Sequence, residues 1–259
     1  MLDEIVMSKE LEVQAAQAQL PLEDLKARVA MYAAERSFRK AVKREGKLSL
    51  IAELKRKSPS RGMLRERFDP VSLAQQLEAA GASALSVLTD ETYFGGHLEF
   101  LRDAKQFTEL PVLRKDFIVD PYQIYEAAFY QADAVLLIVR ILPEERLIEC
   151  MQAADVVGIE PLVEVHSAAE LAIALRTGAH TIGINHRDLK TFAIDPTLAE
   201  QLVPKIPAGK LLVAESGITT AADVRRMSRL GVHALLIGEA LMTAPDPAAK
   251  VRELFAGTW

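Results

Sequence analysis

The sequence predicts a closed (β/α)8 barrel, α/β in class, with an N-terminal helical extension. Eight short, apolar, β-branched runs alternate with amphipathic helical stretches, the pattern of parallel strands joined by right-handed crossovers. Four of the helix-to-strand junctions repeat one local pattern. The length, 259 residues, matches the roughly 250 that one such barrel takes.

Residues 1–46 carry no strand-like run. Leu22, Leu25, Val29, Tyr32 and Ala33 recur at helical spacing behind Pro21, read as a first-turn proline. This segment holds too little apolar material to fold comfortably alone, so it is expected to pack on the barrel built by residues 47–259. Strands are expected at 49–55, 84–90, 111–117, 134–140, 160–165, 181–187, 210–216 and 234–240. In AGASALSVL, QADAVLLIV, TGAHTIGIN and LGVHALLIG a helix ends, commonly at a Gly able to take the left-handed conformation. A strand apolar at nearly every position follows, as in a sheet covered on both faces. An open doubly wound sheet is the second architecture, but no G-x-G-x-x-G follows the first strand. No Pro-rich or low-complexity linker divides the core.

The net charge of −5 gives no sign of a nucleic-acid or membrane partner, and the basic run from Arg36 to Arg44 reads as a helical solvent face. No apolar run approaches the roughly 18 residues of a membrane span. The acidic N-terminus, MLDEIVMSKELEV, lacks the pattern of a signal peptide. One cysteine, Cys150, excludes an internal disulfide and reads as a core or helix-face thiol. These features point to a cytoplasmic protein. The histidines, at 97, 166, 180, 186 and 233, show no metal-ligand spacing. His180 and His233, just before strands, read as structural, and His166 is expected to cap the next helix.

In such barrels the active site lies at the C-terminal ends of the strands. Those ends carry Glu53 and Lys55, Asp90, Lys115 and Asp116, Glu164, Asn185 and Arg187, and Glu215 and Ser216. Strand side chains alternate between faces, so Glu53 shares a face with Lys55, and Asn185 with Arg187. Facing inward, the set forms a ring of cations and carboxylates above an apolar floor. Buried charge persists only if paired or used. A structural ion-pair network is one reading of the ring; acid–base chemistry is the other, favoured for the set as a whole. Gly217 and Gly238 would let backbone amides approach an anion, with a helix N-terminus after the last strand adding its positive end. Glu239 is unhelpful there unless its side chain points away. Ser216 has no His-Asp relay, and the lysines and arginine among the carboxylates argue against a metal.

The stretches IAELKRKSPSRG, VLTDETYFGG, PVLRKDFIVDPYQIYEA, PLVEVH, GINHRDLKTF, VAESGI and LIGEALM run in order from about residue 50 to 243. In that combination they closely resemble the indole-3-glycerol phosphate synthase family. The resemblance implies a barrel with an added N-terminal helical segment, a lyase of tryptophan biosynthesis, a phosphorylated small-molecule substrate, and no metal or organic cofactor. It implies Lys115 as general acid, Lys55 as the anchor of the substrate carboxylate, Glu164 as the catalytic glutamate of the fifth strand, and Glu53 as the partner orienting Lys55. Asn185 and Arg187 match the polar pair of the sixth strand, and Glu215 and Ser216 the seventh-strand pair on the ribulose chain. Ser58 matches the motif serine beside the anthranilate carboxylate, and Phe94 would pack on the aromatic ring. Lys57 would anchor phosphate, with Gly217, Gly238 and the Glu239 amide as the cradle.

One position departs from the family's Asn-Asn-Arg-Asp-Leu: here Asn185-His186-Arg187-Asp188-Leu189. Alternation turns His186 toward the helices. Two other functions stay open at this point. One is another phosphosugar barrel, an aldolase with Lys115 as a Schiff base. The other is a phosphate-ligand barrel without catalysis, whose sign would be a missing Lys or Glu; Glu53, Lys55, Lys115 and Glu164 are all present. With no large exposed apolar stripe evident, a monomer is expected.

Overall fold

A computed structural model describes residues 1–30 and 36–258. Tyr32 and Ala33 of the expected second helix lie outside the described residues. Eight parallel strands close a barrel: β1 Ser49–Leu54, β2 Ala84–Leu88, β3 Val112–Lys115, β4 Ala134–Ile138, β5 Glu160–Val165, β6 Thr181–Asn185, β7 Leu211–Glu215 and β8 Ala234–Ile237. Each pairs with its sequence neighbours, and β8 pairs with β1 from Ser49↔Ala234 to Ala52↔Ile237. No described helix is long and apolar enough to cross a membrane.

Period-two alternation sorts the strand residues. Leu50, Ala52 and Leu54 of β1, Leu85 and Val87 of β2, and Ile182 and Ile184 of β6 point outward into the layer shared with the helices. Ile51, Leu113, Leu136, Leu162, Val213 and Leu236 fill the lumen as a second apolar cluster. That lumen cluster is the floor of the site.

Several strands end earlier than the sequence reading placed them, because polar side chains at their ends capture backbone amides. Asn185 Oδ1 accepts the Arg187 N–H at 3.0 Å. Asp116 Oδ1 accepts the Phe117 N–H at 2.8 Å. Asp90 caps the short helix α5 (Glu91–Phe94) through the Tyr93 and Phe94 amides. The repeated junction is seen in the left-handed Gly81, Gly178 and Gly231; in QADAVLLIV its place is taken by Gln131, at φ 64°.

The N-terminal segment forms α1 (Leu2–Gln19), α2 (Leu22–Val29) and α3 (Phe38–Val42). Pro21 stands just ahead of α2, as its cap rather than in its first turn. Phe38 and Val42 plug the lower end of the barrel, where Ser37 donates to Glu160 at the start of β5. The basic run is therefore no plain solvent face. At the other end α1 presents a buried stripe of Leu2, Ile5, Lys9 and Val13 at helical spacing. Leu2 and Ile5 join the lumen cluster, so α1 roofs part of the mouth.

Candidate active site

A cleft of ≈ 1130 Å³, counted with its open mouth, lies over the C-terminal strand ends. Its base is Leu136, Ile138 and Leu236, and its polar ring is Glu53, Lys55, Lys115, Glu164, Asn185 and Glu215. The ring is paired throughout. Lys55 Nζ lies 2.6 Å from Glu53 Oε1. Lys115 Nζ lies 3.4 Å from Glu164 and 3.8 Å from Glu215.

The protonation states follow from this crowding. Burial disfavours the Lys115 ammonium, but Glu164, Glu215 and Glu53 outweigh it and raise its pKa. Lys115 is thus held as a cation, which opposes the neutral amine that a Schiff-base lysine needs. Burial pushes the Glu164 carboxyl up, but Lys115, His166 and Asn185 outweigh that and hold it below the usual range. Glu215 goes the other way. Burial and the neighbouring Glu164 carboxylate raise its pKa well above normal. Both its oxygens lack a donor inside the protein, as suits a carboxyl pushed towards its protonated form. Two adjacent carboxyls are thereby split into one base and one acid.

Two glycines make room for this ring. A Cβ on Gly183 would fall 2.2 Å from Glu215 Oε1, and one on Gly238 2.1 Å from Glu53 Oε1. Gly238 has φ −122°, an ordinary value, so it is space for the Glu53 carboxylate, not turn geometry, that requires glycine. Ser216 and Gly217 both have positive φ, 63° and 73°. Ser216, Gly217, Gly238 and Glu239 all line the same side of the cleft. Glu239 does turn its carboxylate aside, to Arg187 at 3.1 Å and Arg61 at 3.7 Å. Arg187 lines the cleft and also reaches Ser60 and the Phe192 carbonyl.

The aromatic wall is a pair. Phe94 lines the cleft with Phe117, their ring centroids 5.9 Å apart. Ser58 lines it too, its buried hydroxyl without a partner inside the protein. Lys57 stands apart from the other expected site residues. Strand alternation stops after Leu54, and a small hairpin pairs Lys57 with Met63. The Lys57 ammonium donates to the Thr92 carbonyl at 2.8 Å and is not part of the cleft wall.

Asp90 and Asp116, grouped with the ring by sequence, serve another partner. Lys9 of α1, 1% exposed, reaches Asp116 at 3.0 Å and Asp90 at 3.3 Å. Arg114, fully buried, adds bonds to Asp116 and Glu126. Sequence reasoning missed Lys9, Leu2, Ile5 and Phe117; the one available signal was a lysine inside an otherwise apolar helical stripe. His166 does not cap α9 (Ala168–Arg176), which Ser167 caps. His186 faces away from the cleft, its Nδ1 at 2.9 Å from the Glu215 carbonyl and 3.1 Å from that of Ser216. Two acceptors there fix the Nδ1–H tautomer, and burial lowers the ring's pKa.

A closed eightfold barrel with an ammonium, a carboxylate and a neutral carboxyl over an apolar floor defines an acid–base barrel enzyme. The model of the indole-3-glycerol phosphate synthase family matches residues 2–254. The indole-3-glycerol phosphate synthase of Dehalococcoides mccartyi strain CBDB1 is 51% identical over 218 residues, covering 83% of this chain and 84% of that one. That of Acetivibrio thermocellus is 41% identical over 257 residues, covering 98% and 99%. Among solved structures, a 3-hexulose-6-phosphate synthase superposes with TM-score 0.65 at 17% identity, covering 81% of this chain and 99% of that one, a likeness of fold. The chain belongs to the indole-3-glycerol phosphate synthase family, decarboxylating lyases of tryptophan biosynthesis that act on a phosphorylated small molecule.

Proposed function

We propose that the chain converts 1-(2-carboxyphenylamino)-1-deoxyribulose 5-phosphate to indole-3-glycerol phosphate through the residues of this ring. The observation that carries the reading is the single cleft in which the Lys115 ammonium stands 3.4 Å from the ionised Glu164. Attack of the carboxylate-bearing ring carbon on the ketone develops negative charge on oxygen. Lys115, kept cationic by the glutamates that are ionised around it, supplies the proton to it. Lys55, oriented by Glu53 at 2.6 Å, anchors the carboxylate together with the unpartnered Ser58 hydroxyl, until carbon dioxide leaves and aromaticity returns. Phe94 and Phe117 hold the aromatic ring.

Dehydration then needs an acid and a base on one intermediate. Glu164, steadied by Asn185, removes a proton from the methylene carbon beside the nitrogen. The new hydroxyl leaves as water with a lysine proton, which forms the indole double bond. Glu215, neutral, and Ser216 hydrogen-bond the ribulose oxygens. The amides of Gly217, Gly238 and Glu239 take the phosphate, and Arg187 orients the substrate from its pairing with Glu239.

The N-terminal extension is read as packed on the barrel that forms the catalytic domain, supported by Leu2 and Ile5 in the cleft wall. The enzyme is read as monomeric, since the large exposed apolar side chains among the described residues are scattered. It is read as cytoplasmic, with its one thiol, Cys150, buried and its pKa pushed up to about 12 by that burial. Supplying the carboxyphenylamino ribulose phosphate and following indole fluorescence tests the function. Well-folded protein that yields no product overturns it.

A further inference from the structure

The sequence of charges that starts at Lys115 continues behind the cleft. Glu164 Oε2 faces Lys115, while its other oxygen, Oε1, lies 3.2 Å from His166 Nε2. His166 Nδ1 lies 3.2 Å from Glu170 Oε2, the same oxygen that accepts the His166 backbone N–H at 2.7 Å. Glu170 Oε1 accepts from Arg140 at 2.9 Å, and Arg140 donates onward to Asp188 at 2.6 Å. Lys115, Glu164, His166, Glu170, Arg140 and Asp188 thus alternate in charge from the cleft to the loop after β6.

His166 sits between two acids, behind the cleft wall rather than in it; its side chain is 2% exposed. Each ring nitrogen has a carboxylate oxygen 3.2 Å away and no donor beside it, surroundings that favour the imidazolium. Burial works against that charge, but the two glutamates outweigh it and raise the pKa to about 9. The contact to Glu164 is an ion pair and not an aligned hydrogen bond, because the Nε2–H direction misses Oε1. It acts through charge more than through direction.

We propose that His166 is a positioning residue for the reaction: clamped by Glu170, it keeps Glu164 ionised and leaves Oε2 free for the cleft side. The inference rests on the reading of Glu164 as the base. From the other elements, Glu164 meets Lys115 of β3, Asn185 of β6 and Glu215 of β7, while Glu53 of β1 acts through Lys115. The charged groups facing His166 are Glu164 and Glu170, with Arg140 behind the latter. Removing the imidazolium leaves burial opposed by Lys115 and Asn185 only. Glu164 then binds its proton at higher pH, and a base is lost below its pKa.

The test compares the pH dependence of kcat and KM in wild type and His166→Gln. The acidic limb of kcat is expected to move up by about one pH unit or more, the scale for losing an opposite charge at this distance, with KM within about twofold. A purely structural histidine would lower kcat evenly and leave the limb in place, so superimposable limbs in a folded variant overturn the proposal. Nitrogen-15 NMR of the full chain gives an arm that needs no His166 substitution. The ring should stay doubly protonated through pH 8, and Glu170→Gln should bring its titration to lower pH. A neutral His166 ring at pH 7 overturns the proposal as well. Glu164→Gln separates the two readings: turnover surviving there removes the base and both ideas with it. A dead Glu164→Gln with unshifted His166→Gln profiles removes only the present one.

Discussion

Replacing Lys9 by Met keeps an apolar stem of similar length and removes one buried cation from three acids. Lys9 Nζ lies 3.0 Å from Asp116, 3.3 Å from Asp90 and 2.8 Å from Glu12, and the first two acids are almost fully buried. Deleting one partner of a buried pair costs about 3–5 kcal/mol, because the other charge is left behind. Here Asp116 keeps Arg114 at 3.1 Å and the Thr89 hydroxyl at 2.6 Å, and Asp90 keeps the α5 amides. The expected cost is therefore near the lower end, about 3 kcal/mol. At 2–4 °C per kcal/mol for a chain of this size, Tm should fall by about 6–12 °C at pH 7. The pH dependence has a definite sign. Burial pushes the Asp116 carboxyl up, but Lys9 and Arg114 outweigh it and bring it from 3.8 down to about 2. A depressed acid contributes stability above its unfolded pKa and loses it as pH falls through the folded one. The difference between wild type and variant should be full at pH 5 to 7 and shrink between about pH 4 and 2. Calorimetry at pH 7, 5 and 3 reads it. A Tm within about 2 °C of wild type at pH 7, or a deficit that does not shrink in acid, would refute this account of Lys9.

Lys115→Ala should cut turnover by at least about 10²-fold, the lower end for general acid catalysis; near-normal turnover in an indole fluorescence assay removes Lys115 from its role. Gly238→Ala should fold, since its φ of −122° suits alanine. The new methyl falls 2.1 Å from Glu53 Oε1, so the Lys55–Glu53 pair breaks and kcat/KM should drop by about tenfold or more, on the scale of a misplaced catalytic group. Unchanged kcat/KM would show that Glu53 moves without consequence. Lys57→Met should leave KM within about threefold, because a lysine outside the cleft makes none of the charge-assisted contact that holds phosphate; a tenfold rise in KM would return Lys57 to the phosphate.

The barrel was legible because its code is local. Strands buried on both faces are apolar at nearly every position, and the charged residues that break the pattern, such as Glu53 and Lys115, mark the strand ends. The ring was legible for the same reason, since period-two alternation places Glu53 with Lys55. What alternation could not reach was where the chain turns off the strand direction or meets a distant helix. Lys57 lies past the end of β1, where the hairpin pairing with Met63 turns it to the Thr92 carbonyl. Asp90 and Asp116 looked like ring members because their true partner, Lys9, lies more than 80 residues away on a helix. Gly238 was read through backbone freedom, whereas its reason is the Glu53 carboxylate on the neighbouring strand. Such tertiary reasons leave no trace in spacing.

The split between Glu164 and Glu215 bears on how the site handles a substrate that arrives charged and loses that charge as carbon dioxide. Were Glu53, Glu164 and Glu215 all ionised, they would outnumber Lys55 and Lys115 in a buried ring. Protonating Glu215 restores the balance, and Gly183 is what lets that carboxyl lie close in. An incoming carboxylate must then find a cation not already neutralised twice over. Lys115 feels both ionised glutamates, Glu164 and Glu53, whereas the Lys55 ammonium pairs with Glu53. On the proposed reading the carboxylate sits at Lys55, and the ketone at Lys115 between the two split carboxyls. Carbon dioxide leaves as a neutral molecule and Lys115 is left without the proton it gave the ketone oxygen, while Glu164 still has its lone pair to use. Decarboxylation and dehydration can thus follow one another in one unmoved set of side chains.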